Sequence, residues 1–486
     1  MSAPRRRPAA RPSAPPGLAL ALALALVTPA APAASQEGAR VEVKQYEDGS
    51  VYEGTFKDGV PHGQGTFRLP SGYEYTGAWV EGEILGQGRA RYADGAVYEG
   101  AFVDGRPDGV GRIVYADGGS YEGDWVDGQR TGEGVAVYAD GSRYEGGFRN
   151  GKPHGQGVLT APDGYRYEGG WVDGRKEGAG TITFPDGSTY TGNLVAGKRA
   201  GTGRFEGADG VFYDGTWVDG QIEGEGRLVQ PGGAVYEGRL VAGRREGIGR
   251  VTYDNGDVYE GGFQSDLRHG QGRFEGADGF TYEGGWVEGR IEGEGVAEYP
   301  DGTVYRGAFR DGRHHGWGAV TYPDGATYSG GWVEGVVEGE GRATYPDGTV
   351  YEGDFADGVR EGTGTITYPD GYSYTGAWRA GQPHGQGTAT YPDGATYEGG
   401  FAAGLRSGEG RLETPDGFTY AGGWQGGDFH GQGTARYLSG DVYTGAFRDG
   451  LRHGEGTMRY ATGEEATGLW QEGRFVGAQA ASEAGN

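Results

Sequence analysis

Cysteine is absent from this chain of 486 residues, and methionine nearly so, at 2. The missing thiols exclude a disulfide scaffold and any Cys-ligated metal centre. Aliphatic residues are sparse, and the one long apolar run, Leu18–Val27, is too short to cross a bilayer as a helix. Basic residues are outnumbered, with 43 Lys and Arg against 69 Asp and Glu and a net charge of −26. That sign opposes nucleic-acid phosphates and anionic lipid alike. Gly (108) and Pro (21) together make up about a quarter of the chain, which excludes an ordinary helical or α/β domain. Bulk composition alone borders on low-complexity disorder. The aromatic content, 33 Tyr, 17 Phe and 10 Trp, argues the other way, so the spacing of the glycines decides.

The first 34 residues read as a signal peptide. Arg5, Arg6, Arg7 and Arg11 precede the apolar run, and the small-residue segment TPAAPAAS follows it. This charged, apolar, small order is that of a secretory leader. The expectation is export, to a periplasmic or extracellular location. The leader carries four Arg and no acid, so the mature chain would have a charge of −30 against −26 for the whole.

The remainder is periodic. Asp48-Gly49 recurs every 23 residues to Thr462-Gly463, giving 19 repeats without insertion or deletion. Self-similarity of this kind outranks every other sequence signal. Numbering the Asp as position 0, Gly occupies positions 1, 6, 11, 15 and 17, and these five account for 93 of the 108 glycines. Tyr fills position 4 in 18 repeats; position 8 is Phe, Trp or Leu; position 19 is apolar. Positions 4, 6 and 8 share one parity and 15, 17, 19 and 21 the other, the period-2 alternation of strands. Each repeat therefore reads as a hairpin, with strands over positions 2–8 and 15–21. Gly at position 11 turns the hairpin, and the Asp-Gly corner joins the next.

Glycine within a strand normally weakens it. Here a hairpin closing at position 11 sets position 8 opposite 14–15, and places it beside position 17 of the preceding repeat. The structural glycines, exemplified by Gly54, Gly63, Gly65, Gly155 and Gly157, are expected to leave a bare trough in which aromatic rings lie flat. The candidate trough residues are Tyr52, Phe56, Tyr75, Trp79, Tyr98, Phe102, Tyr121, Trp125, Tyr144, Phe148, Tyr167, Trp171, Trp217, Trp286, Trp332, Trp378 and Trp424.

The segment YEGTFKDGVPHGQGTFRLPSGYEY, Tyr52 to Tyr75, resembles the MORN repeat, as do the later repeats. The resemblance implies an all-β fold: an elongated, single-layer antiparallel β-meander of about 19 stacked 23-residue hairpins. At about 4.8 Å per strand, such an array would run roughly 180 Å. The expected organisation is a leader over 1–34, an edge strand within 35–47, the array over 48–477 and a disordered tail over 478–486. Some MORN families carry a lipid-kinase or methyltransferase domain; nothing in this sequence resembles either, so no activity is carried over.

Motifs with chemical potential are few. Seven of the eight His (His62, His154, His269, His315, His384, His430 and His453) fall at position 14, and His314 is the outlier. Successive repeats lie about 10 Å apart, too far for two His to share an ion. Both classes read as turn residues. The strings Gly192–Arg199 and Gly146–Lys152 mimic phosphate-binding loops but lack the Ser/Thr that would hold Mg²⁺, and open no helix. Acidic residues recur at positions 5 and 10 as a solvated face, with weak divalent-cation binding along the turn Asp ladder as the alternative. No catalytic residue, cofactor or metal site is expected. The expected function is a non-enzymatic exported scaffold that binds protein through the trough, the sheet edges or the acidic face. Open edges at Val41–Tyr46 and Ala466–Trp470 would allow homodimerisation. The alternatives are peripheral phospholipid binding, disfavoured by charge, and glycan binding on aromatic platforms.

Overall fold

The structure, a computed structural model, describes residues 40–478, so the expected leader and nearly all of the expected tail lie outside the described residues. It divides into two compact units, one ending at Asp117 and including Asp124–Gln129, the other formed by Gly118–Gly123 and the chain from Arg130 onward. Among the described residues there are 39 strands and no helix. The fold is an all-β antiparallel repeat meander. In the first unit consecutive strands pair antiparallel from Glu42–Gln45 to Arg106–Val114. In the second the same rule holds from Arg143–Arg149 to the closing strand Arg474–Ala478.

One repeat shows the design. Its first strand is Val51–Lys57 and its second is Val60–Arg68, so the second begins at position 12, three residues earlier than the sequence suggests. Asp58 and Gly59 form the whole turn, at φ 50° and 79°. Both central residues at positive φ define a type I′ turn, whose twist suits two paired strands. At the other end, Asp48 Oδ1 accepts from Ser50 N (2.9 Å), and Gly49 N donates to Tyr46 O. The corner is thus held by an Asx turn.

The early start of the second strand has a structural reason. Gly54 pairs with Gly65 and Phe56 with Pro61, leaving Thr55 opposite His62, Gly63 and Gln64. This bulge recurs through the array, and position 15 carries its bend, with Gly63 at φ 84° and Gly155 at φ 83°. Position 8 consequently faces position 13 in its own hairpin, not 14–15. Toward the preceding repeat it faces position 15, as in Gly63 with Trp79, while position 17 faces position 6. The first correction follows from the residues absorbed by the bulge; the second reflects continuous pairing between repeats, where no bulge intervenes.

The core is a ladder of rings on one face of the sheet. Tyr52 lies across the Gly54–Gly65 pair: a Cβ built on Gly65 would fall 2.5 Å from two of its ring carbons. Its hydroxyl donates to Thr55 O (3.0 Å). The position 8 rings do not lie flat; they stand edge-on to the tyrosines. Tyr52 meets Phe56 of its own repeat at 5.0 Å and 84°, and Trp79 of the next at 5.1 Å and 79°. The indole of Trp79 donates to Gly65 O (3.3 Å). Edge-to-face pairs of this kind contribute about 0.5–1.5 kcal/mol each beyond area burial.

Position 13 closes the ladder from above. Arg199 sets its guanidinium 4.0 Å from the Trp217 ring centroid and donates to Gly220 O (2.8 Å); Arg406 does the same to Trp424 (4.2 Å) and Gly427 O (2.8 Å). Each side chain therefore binds its repeat to the next.

Two consequences are measurable. Gly157→Ala would drive a Cβ to within 2.6 Å of Tyr144 Cε2 and Cζ, whereas a Cβ on Gly155 meets nothing within 4 Å and is penalised only by its φ. The expected loss is about 1–3 kcal/mol at Gly157, from overpacking, with near-UV circular dichroism change and faster amide exchange in the flanking hairpins. At Gly155 it is about 1–2 kcal/mol with the ring signal intact. The reverse ranking of ring signals would refute the ring-bed role of position 17.

Burial also pushes the phenols of Tyr75, Tyr98 and Tyr213 up to about 12 from 10. A raised folded-state pKa leaves stability intact below pH 10 and removes it as pH rises from 10 through 12, because only the unfolded chain ionises there. Phenolate absorbance of these rings should therefore appear together with loss of the β signal; ionisation near pH 10 in an intact fold would contradict the packing.

Candidate binding faces

The expected trough is built, but it is closed. Tyr52, Tyr75, Tyr98, Tyr121, Tyr144 and Tyr167 have no exposed surface, and Trp79, Phe102, Trp125, Phe148, Trp171, Trp217, Trp286, Trp332, Trp378 and Trp424 retain at most 6%. Phe56 is half-buried. These side chains are core, sealed by their neighbours and by position 13, and present no platform for a ligand. Gly54, Gly65 and Gly157 make the bed under the tyrosines, while Gly63 and Gly155 serve the bulge.

The histidines also change role. Position 14 lies in the second strand, not in a turn. His62 Nδ1 accepts from Glu81 N of the next repeat (3.4 Å), and Glu177 and Glu361 accept from Ala196 N (2.8 Å) and Ala380 N (2.7 Å). Where position 14 is His or Glu, as in these repeats, it thus staples its repeat to the next type I′ turn. His314 sits at position 13, inside the ring ladder: it stacks on Tyr305 at 3.6 Å and 8° and shares a 2.9 Å hydrogen bond with the Tyr299 hydroxyl. Burial lowers its pKa to about 4, so it is a neutral ring at physiological pH.

The turn carboxylates are similarly occupied. Asp140, Asp186, Asp301 and Asp347 accept from the backbone N of position 2, and these hydrogen bonds hold them below the ordinary value of 3.8. No group of three or more His, Asp or Glu converges among the described residues. The two phosphate-loop mimics are plain hairpins, turning at Ala196-Gly197 and Asn150-Gly151.

The edges differ in openness. Among the described residues, Glu42–Gln45 pairs on one side only, with Val51–Lys57. The opposite expected edge, Ala466–Trp470, is covered in part: Gly468, Leu469 and Trp470 pair with Ala478, Gly477 and Phe475 of a short additional strand.

The face opposite the rings carries positions 5, 7, 16 and 18. Cross-strand pairs dominate it, such as Arg89 with Glu99 (2.9 Å) and Arg342 with Glu352 (2.7 Å), and exposed pairs of this kind add little stability. Within the second unit this face bears two grooves, of ≈ 770 and ≈ 580 Å³, which share Trp317 as a lining residue. Trp317 is 65% exposed, while the other nine Trp all stand at position 8. Its signal in the sequence is that it is the one indole out of phase with the repeat, a departure that the repeat spacing alone does not register.

Comparison with known proteins accords with this architecture. The MORN repeat pattern matches eighteen consecutive segments, from residues 52–72 to 443–465. No curated protein matches the chain. Among solved structures, the chain is similar to the wild-type TCP10 domain of Danio rerio CPAP at 18% identity, over 46% of this chain and 94% of that one, with a TM-score of 0.21. The SAS-4 (dCPAP) TCP domain of Drosophila melanogaster, in complex with a proline-rich motif of Ana2, matches at 14% identity, over 38% and 93%, with a TM-score of 0.20. A virginiamycin B lyase from Staphylococcus aureus matches at 9%, over 65% and 96%, with a TM-score of 0.11. Scores this low carry nothing about activity or partners. The unbroken run of matched segments, the hairpin repeated at the same spacing and the Tyr–Gly packing within it make this chain a member of the MORN repeat family.

Proposed function

We propose that this chain is an exported, non-enzymatic scaffold whose face opposite the rings binds protein. The observation that carries the reading is the asymmetry between the faces: one is consumed by the core, while the other is open, grooved and chemically varied. A non-catalytic role is supported by the employment of the His and Asp ladders in backbone hydrogen bonds. Export rests on the leader-like first 34 residues, and the mature charge of −30 weighs against anionic lipid. The side of Glu42–Gln45 left unpaired among the described residues, with Val41 and Val43 exposed, suits strand addition by a second copy.

Photo-crosslinking in the native cell tests this. A photoreactive residue at Val110, Ile248 or Trp317, all on the open face, should yield discrete protein adducts identified by mass spectrometry. Adducts confined to lipid, together with co-sedimentation on anionic liposomes, would sink the reading.

A further inference from the structure

Position 16 is the centre of the open face, and in most repeats it is Gln or Glu, as at Gln271, Glu294, Glu340 and Gln386. Trp317 replaces that polar side chain with a large flat ring. Its surroundings leave the ring free. Trp317 pairs with Gly331, and the nearby position 7 residues are Gly285, Ala308 and Gly331, which offer at most a methyl group. An indole 65% exposed above a floor of two glycines and one alanine is available on its flat surface to a ligand.

Charge identifies the ligand. The two grooves that meet at Trp317 are lined by five carboxylates against two guanidiniums. Arg342 is already paired with Glu352, and Asp354 Oδ2 accepts from Thr363 N (2.8 Å) and Oγ1 (3.1 Å). Glu283, Glu294 and Glu340 have no ion pair among the described residues. Glu294 and Glu340 occupy position 16 in the repeats before and after Trp317, so the three side chains stand in a row across alternate strands, spaced about 9.6 Å apart. A polypeptide in the polyproline II conformation, with about 3.1 Å rise and three residues per turn, covers that distance in three residues and returns its side chain to the same face.

We propose that Glu294, Trp317 and Glu340 form a docking site for a basic polypeptide segment in the polyproline II conformation carrying Lys or Arg at every third residue. The central cation lies on the indole, and the flanking cations pair with the two carboxylates. The inference rests on the scaffold reading above and names the partner chemistry. A neutral sugar would also stack on an indole, but it would leave the flanking charges uncompensated, and desolvating them is costly.

The test uses the full mature chain and a labelled synthetic peptide of repeated Lys-Pro-Pro triplets, which favours polyproline II, with binding followed by fluorescence anisotropy at several salt concentrations. Saturable binding that weakens with salt is expected. Trp317→Gln should reduce affinity about tenfold, the size of one cation–π contact; Gln is the native residue at this position in other repeats, so the fold is retained, as circular dichroism would verify. Glu294→Gln with Glu340→Gln should weaken binding and flatten its salt dependence. Leu438→Gln, an exposed turn residue, should bind as the parent does. Equal binding by parent and Trp317→Gln overturns the site, as does failure of the peptide to bind. Trp317-dependent binding of a neutral chito-oligosaccharide without the peptide would reassign it to glycan. Native crosslinks from Val110 and Ile248 but not Trp317 would leave the scaffold role standing and remove this inference. Peptide binding in vitro with no protein adduct from any position would do the opposite.

Discussion

A tyrosine ring laid across two facing glycines is the contact on which the rest of this molecule depends. A pair of side chains at positions 6 and 17 would hold the ring away from the backbone; bare Cα atoms let it settle so closely that an added Cβ on Gly65 would overlap it. The phenol then reaches the carbonyl of position 7, and its edges become the docking points for the position 8 rings before and after it. Glycine is usually a weakness in a strand. Here it converts a sheet face into a surface that aromatic rings can tile, so a chain poor in aliphatics still buries a core.

Because each ring touches only its own repeat and the adjacent ones, stability is assembled from local interfaces. Three further ladders run in the same direction: the indole N–H to the carbonyl of position 17, the position 13 cation over the next ring, and the position 14 acceptor on the next turn. All are sequence-near, which is the nearest-neighbour regime of repeat proteins. The ladders tolerate exchange of parts. Leu194 and Leu240 replace rings at position 8 and remain fully buried, and position 13 accepts Pro, Ile, Val, Arg, Lys, His or Phe, whose shared property is a body able to cover a ring.

Much of this was legible in the sequence because it is periodic. The 23-residue spacing, the two strands per repeat, the turn at position 11 and the coupling of glycine to aromatic residues all follow from residue identities. What escaped was set by one conformational detail. By spacing alone Gly63 and its equivalents resemble ring bed, but they bend the backbone into a bulge. That bulge shifts position 8 onto position 13, brings the second strand forward, and converts His62 from turn residue to inter-repeat staple. A parity argument assumes continuous pairing and has no means of seeing residues that one strand gains over the other. The closure of the trough was hidden for the same reason: its cover, position 13, lay outside the expected strand.

The division between the two faces follows from these constraints. On the ring face every position is committed to packing, and variation is confined to side chains that serve the same contact. On the opposite face, positions 5, 7, 16 and 18 meet solvent and each other, and their exposed ion pairs cost little to alter. Change can accumulate there without disturbing the array, so the chemistry of any one stretch is free to diverge from its neighbours. Trp317, Val110 and Ile248, exposed where most repeats carry Gln or Glu, are such divergences. In a protein made of near-copies, a residue that breaks the pattern on the core face must be accommodated by packing. One that breaks it on the open face owes nothing to the fold, and specificity is written there.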